Sequence, residues 1–329
     1  MFGAISLPHM TRFSQQTLGW LLAAALAGAS TAASPALAQT APPKGGHAPK
    51  TPPEEAGALA TLRLSATLTQ ADAQPVRGGL AWRVFEERAQ PDGSHKLAAE
   101  SQEAIPIIPL PDGAYIVHAA YGLAGATRRV AIEGRNVSER VTLNAGGLKL
   151  IDMLGDARIP QQRLAISIYV PERGNSEAKL VLANAKGGEI LCLPEGVYHI
   201  VSTLLDTTQG AQGDNNATNS VVTADLRVPA GKLIEATLRH RAATMTLKLV
   251  NAAGGEALAN TSFSVLTPGG DAIRELIGAF PSLVLAEGEY VVIARHEGKT
   301  YQNTFKVEST KDRDVEILAK EAGTMDPTP

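Results

Sequence analysis

A six-residue pattern recurs three times in this chain, and no other feature constrains its fold as much. Leu110-Pro111-Asp112-Gly113-Ala114-Tyr115 returns as Leu193-Pro194-Glu195-Gly196-Val197-Tyr198 and again as Leu285-Ala286-Glu287-Gly288-Glu289-Tyr290. The shared pattern is Leu-x-acid-Gly-x-Tyr, with its glycines 83 and 92 residues apart. The flanks recur as well. Upstream lie alternating strands at Leu62–Ala66, Leu148–Ile151 and Met245–Val250, then second strands at Ala81–Phe85, Ala165–Tyr169 and Ser262–Leu266. Downstream of each Tyr runs a period-2 strand, in which Tyr115, Val117, Ala119 and Tyr121 share one face. Tyr198, Ile200, Ser202 and Leu204 do the same, as do Tyr290, Val292 and Ala294. Such alternation marks half-buried strands. Each copy closes with a further strand pair, as in Ala126–Ile132 with Val137–Leu143.

The chemistry of the pattern is local. The acid-Gly pair suits a tight turn, in which the glycine can take positive φ. The Leu plugs a core. The Tyr ring re-enters that core and leaves its hydroxyl near the edge, where it needs a backbone partner. About six or seven short strands per copy, with turns roughly every 8–12 residues, is sandwich spacing. The expected fold is all-β: three tandem Ig-like antiparallel β-sandwich modules at residues 58–146, 147–241 and 242–320. Asp271–Ala279 is the one short helix candidate, with Asp271 as its cap and Gly278 at its end. Charges such as Arg128, Arg129, Arg239 and Arg241 are expected to guard exposed sheet edges.

The third copy reads Asn251-Ala252-Ala253-Gly254-Gly255-Glu256-Ala257-Leu258 into Ser262-Phe263-Ser264-Val265, then Leu285 to Val292. It resembles the carboxypeptidase regulatory-like domain, a transthyretin-like, seven-stranded β-sandwich of bacterial envelope proteins. The first copy matches through Gln74-Pro75-Val76-Arg77-Gly78-Gly79 and its Leu-Pro-Asp-Gly-Ala-Tyr turn. The second departs most, through an altered first turn and a polar insert, Asp206–Ser220. The resemblance covers most of residues 58–320. It implies a spacer, adhesion unit or ligand binder and carries no activity with it. Lys149 and Lys248 on first strands are also reminiscent of adhesin modules with an internal Lys–Asn isopeptide bond. The strands after the Gly-x-Tyr turns lack the acid that chemistry needs, so solvated edge lysines are expected instead.

Residues 1–38 read as a secretory signal: a basic start at Met10-Thr11-Arg12, an apolar run from Leu18 to about Ala27, and Pro35-Ala36-Leu37-Ala38 as a small-x-small cleavage pattern. Cleavage is expected after Ala38, delivering the chain to the periplasm or outside. The mature chain then has no transmembrane span. Residues 39–57 form a Pro-rich linker and 321–329 a frayed tail. A net charge of -3 excludes a polyanion binder held by charge alone. Aromatic residues at 4% are too few for single-stranded nucleic-acid stacking platforms, so no nucleic-acid partner is expected.

No catalytic constellation, cofactor site or metal site is legible. His118 and His199 fall on equivalent outward faces, and His240 and His296 have no ligand-spaced neighbours, so surface or edge histidines are expected. The loop Asp206–Ser220 is the longest insertion. Asp206, Asp214, Asn215, Asn216 and Asn219 carry its oxygen donors, too few carboxylates for calcium but suited to contacting a partner. Cys192, the only cysteine, is expected to be a small semi-buried residue, with an intermolecular disulfide as the alternative. These features point to a non-enzymatic envelope scaffold or protein-binding module. The alternative is a carbohydrate-binding or adhesion protein, with Tyr301, Phe280 and Tyr121 as its spare aromatics. The expected partner is an envelope protein or a cell-wall polysaccharide.

Overall fold

The computed structural model describes residues 59–171, 178–208 and 216–319. The signal, the linker, the tail, and Asp214 and Asn215 of the polar loop lie outside them. The described chain is all-β and builds tandem sandwiches. Module 1 contains β1 (Ala60–Thr67), β2 (Leu80–Ala89), β3 (His95–Ser101), β4 (Ile107–Leu110), β5 (Gly113–Tyr121), β6 (Ala124–Ile132) and β7 (Val137–Thr142). Module 2 contains β8 (Ala145–Leu154), the short β9 (Ala157–Arg158), β10 (Leu164–Val170), β11 (Lys179–Leu182), β12 (Ile190–Pro194), β13 (Gly196–Leu205), β14 (Ala217–Val228) and β15 (Leu233–His240). Module 3 contains β16 (Ala242–Val250), β17 (Ser262–Leu266), β18 (Ala272–Ile277), β19 (Ser282–Ala286), β20 (Gly288–His296), β21 (Lys299–Val307) and β22 (Arg313–Leu318).

Every module uses one plan. A sheet with a three-strand path (β4-β1-β7, β12-β8-β15, β19-β16-β22), to which the short β9 adds beside β8 in module 2, faces a four-stranded one (β3-β2-β5-β6, β11-β10-β13-β14, β18-β17-β20-β21). Pairing is antiparallel except that the first and last strands of each module run parallel. The closing strands of each module therefore do not pair with each other: β6 adds to β5, and β7 crosses to the opposite sheet beside β1. Each sandwich is thus closed by its own ends, which brings residues far apart in sequence onto one face.

The alternation fills three separate cores. Module 1 buries Leu62, Leu64, Trp82, Val117 and Ile132, with the Trp82 indole donating to the Glu103 carbonyl at 3.0 Å. Module 2 buries Leu148, Ile166, Ile168 and Ile200, and module 3 buries Leu247, Phe263, Val265 and Val292. Asp271–Ala279 is not helical. Ala272–Ile277 is a strand paired antiparallel with β17, and Asp271 belongs to the preceding turn, where its amide donates to Thr267 Oγ1 at 3.1 Å. The waiting edge of β17 and burial of Leu276 override the weak local helix signal.

The repeated tyrosines behave alike. Tyr115, Tyr198 and Tyr290 are buried, and each hydroxyl donates to the carbonyl four residues back: Pro111 at 2.9 Å, Pro194 at 2.7 Å and Ala286 at 2.8 Å. Leu110, Leu193 and Leu285 plug the three cores. The glycines differ from expectation. Gly113, Gly196 and Gly288 are not among the positive-φ residues. The Tyr ring instead folds back across the bare Cα, and a Cβ there would meet it at ordinary contact distance, 3.5–3.6 Å.

Burial raises all three tyrosine pKa values above the ordinary 10.0. A group raised on folding stabilises fully below its unfolded pKa, and that contribution is lost as pH climbs through the folded value. Stability should therefore fall above pH 10.0, the unperturbed value. A Tyr115→Phe, Tyr198→Phe, Tyr290→Phe variant should lose about 1 kcal/mol per hydroxyl at neutral pH but decline less on the alkaline side. Urea midpoints across that range test this, and parallel curves for the two proteins would refute it.

Candidate functional site

The described ends of the polar segment between β13 and β14 meet module 3. Its described ends close with the Asp206 amide donating to the Asn216 carbonyl at 2.7 Å. Asp206 is 2% exposed. Its Oδ1 accepts the Thr208 amide at 2.9 Å, and its Oδ2 accepts the Val284 amide of β19 at 3.1 Å. The Arg274 guanidinium stands 3.9 Å from Oδ2 and donates to the Ala217 carbonyl at 3.1 Å, so the buried carboxylate has a counter-charge from module 3. Asn219 completes the set. Its Oδ1 accepts the Ala286 amide at 2.8 Å, and its Nδ2 donates to the Tyr290 hydroxyl at 2.8 Å. The Thr208 hydroxyl lies 2.7 Å from Asp206 Oδ1 and 2.8 Å from the Ser282 carbonyl, and its one proton serves one of them at a time.

These contacts share a logic. β19 is an edge strand, so alternate backbone groups face away from β16. Ser282 C=O, Val284 N–H and Ala286 N–H are such groups, and side chains of module 2 satisfy all three. The described ends of the loop expected to contact a partner are thus engaged with the neighbouring module. Asp206 and Asn219 are brought together there, and Asn216 contributes its backbone carbonyl. Both Asp206 oxygens are directed at backbone amides. Among the described residues no group of three or more His, Cys, Asp or Glu is arranged around a metal position.

The remaining junction contacts are equally tight. Arg241 alone separates β15 from β16, and its guanidinium makes two bonds to Glu287 at 2.7 and 2.8 Å. It anchors the junction rather than guarding an open edge. Leu204, Ala242 and Val284 form a small apolar cluster across the same boundary. Between modules 1 and 2, the Leu123 amide donates to the Cys192 carbonyl of β12 at 2.9 Å. Gly122 lies against Cys192, and with φ of 60° a Cβ there would come within 2.8 Å of the Cys192 Cβ. Cys192 is a free, partly buried thiol under this contact.

The strand registers place Pro109 and Pro111 of module 1 where module 3 has Val284 and Ala286, since Leu110 faces Ala60 as Leu285 faces Ala243. The two amides that module 2 satisfies on β19 therefore have no counterpart in module 1, because proline carries no N–H.

A second constellation lies inside module 2. Asp152, Ser202, Ser220 and His240 come from four strands and are each no more than 4% exposed. Ser202 donates to Asp152 Oδ1 at 2.6 Å. His240 Nε2 lies 3.1 Å from Ser202 Oγ and 3.6 Å from Asp152 Oδ1, and His240 Nδ1 lies 3.1 Å from Ser220 Oγ. His240 is thus a core residue, not a surface one. The inward series Leu148, Leu150, Asp152 and Tyr198, Ile200, Ser202 carried the signal, because strand parity placed Asp152 and Ser202 inside. Serine here sits between acid and imidazole, whereas a hydrolase places the imidazole between them. The side chains of His240 and Asp152 have no solvent exposure, so this set offers no nucleophile to a substrate.

The other candidates are dispersed. His118 is half-buried, and burial, followed by the Arg83 charge, lowers its pKa. His199 pairs with Asp225 at 2.7 Å on the surface, and His296 is partly buried beside Glu297 at 3.8 Å. Lys149 and Lys248 are on central strands, not edges. Lys149 pairs with Glu235 at 2.8 Å, and Lys248 with Glu316 at 3.0 Å and Asp314 at 3.3 Å. Those carboxylates raise the Lys248 pKa, keeping its amine protonated and unfit for isopeptide attack. Of the spare aromatics, Phe280 is 63% exposed, while Tyr121 and Tyr301 pack against their cores.

A family model, the Rhizobiales growth-associated tandem repeat domain, matches residues 244–319, within module 3. No curated protein matches the chain. Among solved structures, the chain is similar to the Bacillus anthracis TIE protein at 16% identity and a TM-score of 0.23. The match covers 80% of this chain and 50% of that one, so this chain spans half the length of that relative. It is similar to the streptococcal ancillary pilin at 14% identity, covering 80% and 99% of the two chains, with a TM-score of 0.29. It is also similar to BcpA, the major pilin subunit of Bacillus cereus, at 11% identity, covering 80% and 100%, with a TM-score of 0.21. No helix of the described residues is long and apolar enough to cross a membrane.

Proposed function

We propose that this chain is an exported, non-enzymatic envelope protein whose tandem sandwiches, akin to carboxypeptidase regulatory-like domains, form a semi-rigid scaffold for a protein partner. The proposal includes a signal at 1–38 cut after Ala38, a linker at 39–57, modules at 58–146, 147–241 and 242–320, and release into the periplasm or outside. The observation that carries it is the junction of modules 2 and 3. Asp206 and Asn219 fasten the edge of β19, and a single residue, Arg241, connects the two sandwiches. A chain that fixes its modules this closely is suited to holding groups at set separations. Burial of its Ser–His–Asp set argues in the same direction.

In vivo cross-linking of tagged Gln39–Pro329 tests the reading. The scaffold predicts one dominant, identifiable envelope protein in the wild-type capture, reduced when Asp206→Ala and Asn219→Ala uncouple the junction. Capture of cell-wall polysaccharide alone would transfer support to carbohydrate binding, and no reproducible capture would overturn both.

A further inference from the structure

Modules 2 and 3 neutralise the outer face of their three-stranded sheet, and module 1 does not. In module 2, Lys149 on the first strand faces Glu235 on the last and bonds it at 2.8 Å. In module 3, Lys248 faces Glu316 and pairs with it at 3.0 Å. The corresponding cross-strand positions of module 1 hold Arg63 opposite Ser138 and Ser65 opposite Arg140. Both arginines are exposed, and neither has a hydrogen-bond or ion-pair partner among the described residues. Two guanidiniums on one face with no facing acid repel each other, a cost the other modules avoid.

These arginines line a cleft of about 400 Å³ with Ser65, Pro75, Ile105, Ser138 and Glu139. That volume is in the range of small-ligand sites. Arginine forks match carboxylates and phosphates in a bidentate manner. The rest of the lining suits a sugar that carries such a charge. The Glu139 carbonyl, which accepts from the Ser65 hydroxyl at 3.4 Å, can also accept from a sugar hydroxyl, while its side chain leaves this face for Arg128, 3.7 Å away. Ser65 and Ser138 add further hydroxyl partners, and Pro75 and Ile105 offer apolar walls to C–H faces. We propose that this cleft of module 1 binds a carboxylated sugar of the uronic-acid class, with Arg63 and Arg140 on the carboxylate. The site is independent of whether the array serves as a scaffold.

Calorimetric titration of the purified chain with trigalacturonate, the neutral maltotriose and inorganic phosphate tests this. Saturable binding of trigalacturonate without binding of maltotriose is expected. Arg63→Gln with Arg140→Gln should weaken it by at least about tenfold. Lys149→Gln, which removes a cation already paired in module 2, should leave it unchanged. Both arginines are exposed, and unchanged circular dichroism of the double variant would show that it folds. No saturable trigalacturonate binding would overturn the proposal. So would tighter binding of phosphate, equal binding of maltotriose, or insensitivity to the double substitution.

Discussion

Replacing His240 alone by leucine should destabilise module 2 by about 3–5 kcal/mol, while replacing the whole polar set should recover most of that loss. The single change leaves the Asp152 carboxylate buried with only the Ser202 hydroxyl on Oδ1, and strips Ser220 of the imidazole. Asp152 Oδ2 already has no partner, so the site has no reserve. Module 1 provides the control. By strand register, Asp152 corresponds to Ala66, Ser202 to Ala119, Ser220 to Ala124 and His240 to Leu143. All four of these module 1 residues are buried. Copying them with Asp152→Ala, Ser202→Ala, Ser220→Ala and His240→Leu removes every polar group together, which is often neutral or stabilising. Hydrogen exchange at module 2 amides reads both variants. Equal losses would mean that the network is needed as a unit.

The second large effect is expected at the junction. Asp206→Ala with Asn219→Ala leaves the amides of Val284 and Ala286 without their acceptors, at about 1–3 kcal/mol for the buried Val284 amide and less for the exposed Ala286 amide, which water can satisfy. The same change removes the charge opposite Arg274. Amide exchange at Val284 and Ala286 should accelerate strongly. Leu283 and Leu285, whose amides face β16, should remain protected if module 3 stays folded. The exposed edge should also promote concentration-dependent self-association. Unchanged protection at the two amides would refute the edge-capping account.

Much of this architecture was legible because sandwich strands have a simple code. Period-2 alternation located the first, second and post-tyrosine strands in every module, and the repeat fixed the equivalences. What escaped was set by partners distant in sequence. The crossing of β7 to β1 could not be read from two adjacent strands, and it creates the cross-strand pairs that separate Arg63 and Arg140 from Lys149 and Lys248. Ala272–Ile277 carried a weak helical pattern that only the edge of β17 overrides. His240 has no ligand-spaced neighbour in sequence, while the groups it meets lie 20, 38 and 88 positions away. Length and polarity mark the loop at Asp206–Ser220, but composition does not say whether a polar loop serves a stranger or its own chain.

The two ways of closing the edge strand differ in when they act. Pro109 within β4 and Pro111 just past its end are part of that edge itself, so it is protected from the moment it folds. The cap on β19 is lent by residues made earlier in the chain. Because polypeptides are made from the N-terminus, Asp206 and Asn219 exist before Val284 and Ala286 do. The sticky edge need never wait for its guard, and assembly acquires a direction: the third sandwich is finished by the one already made.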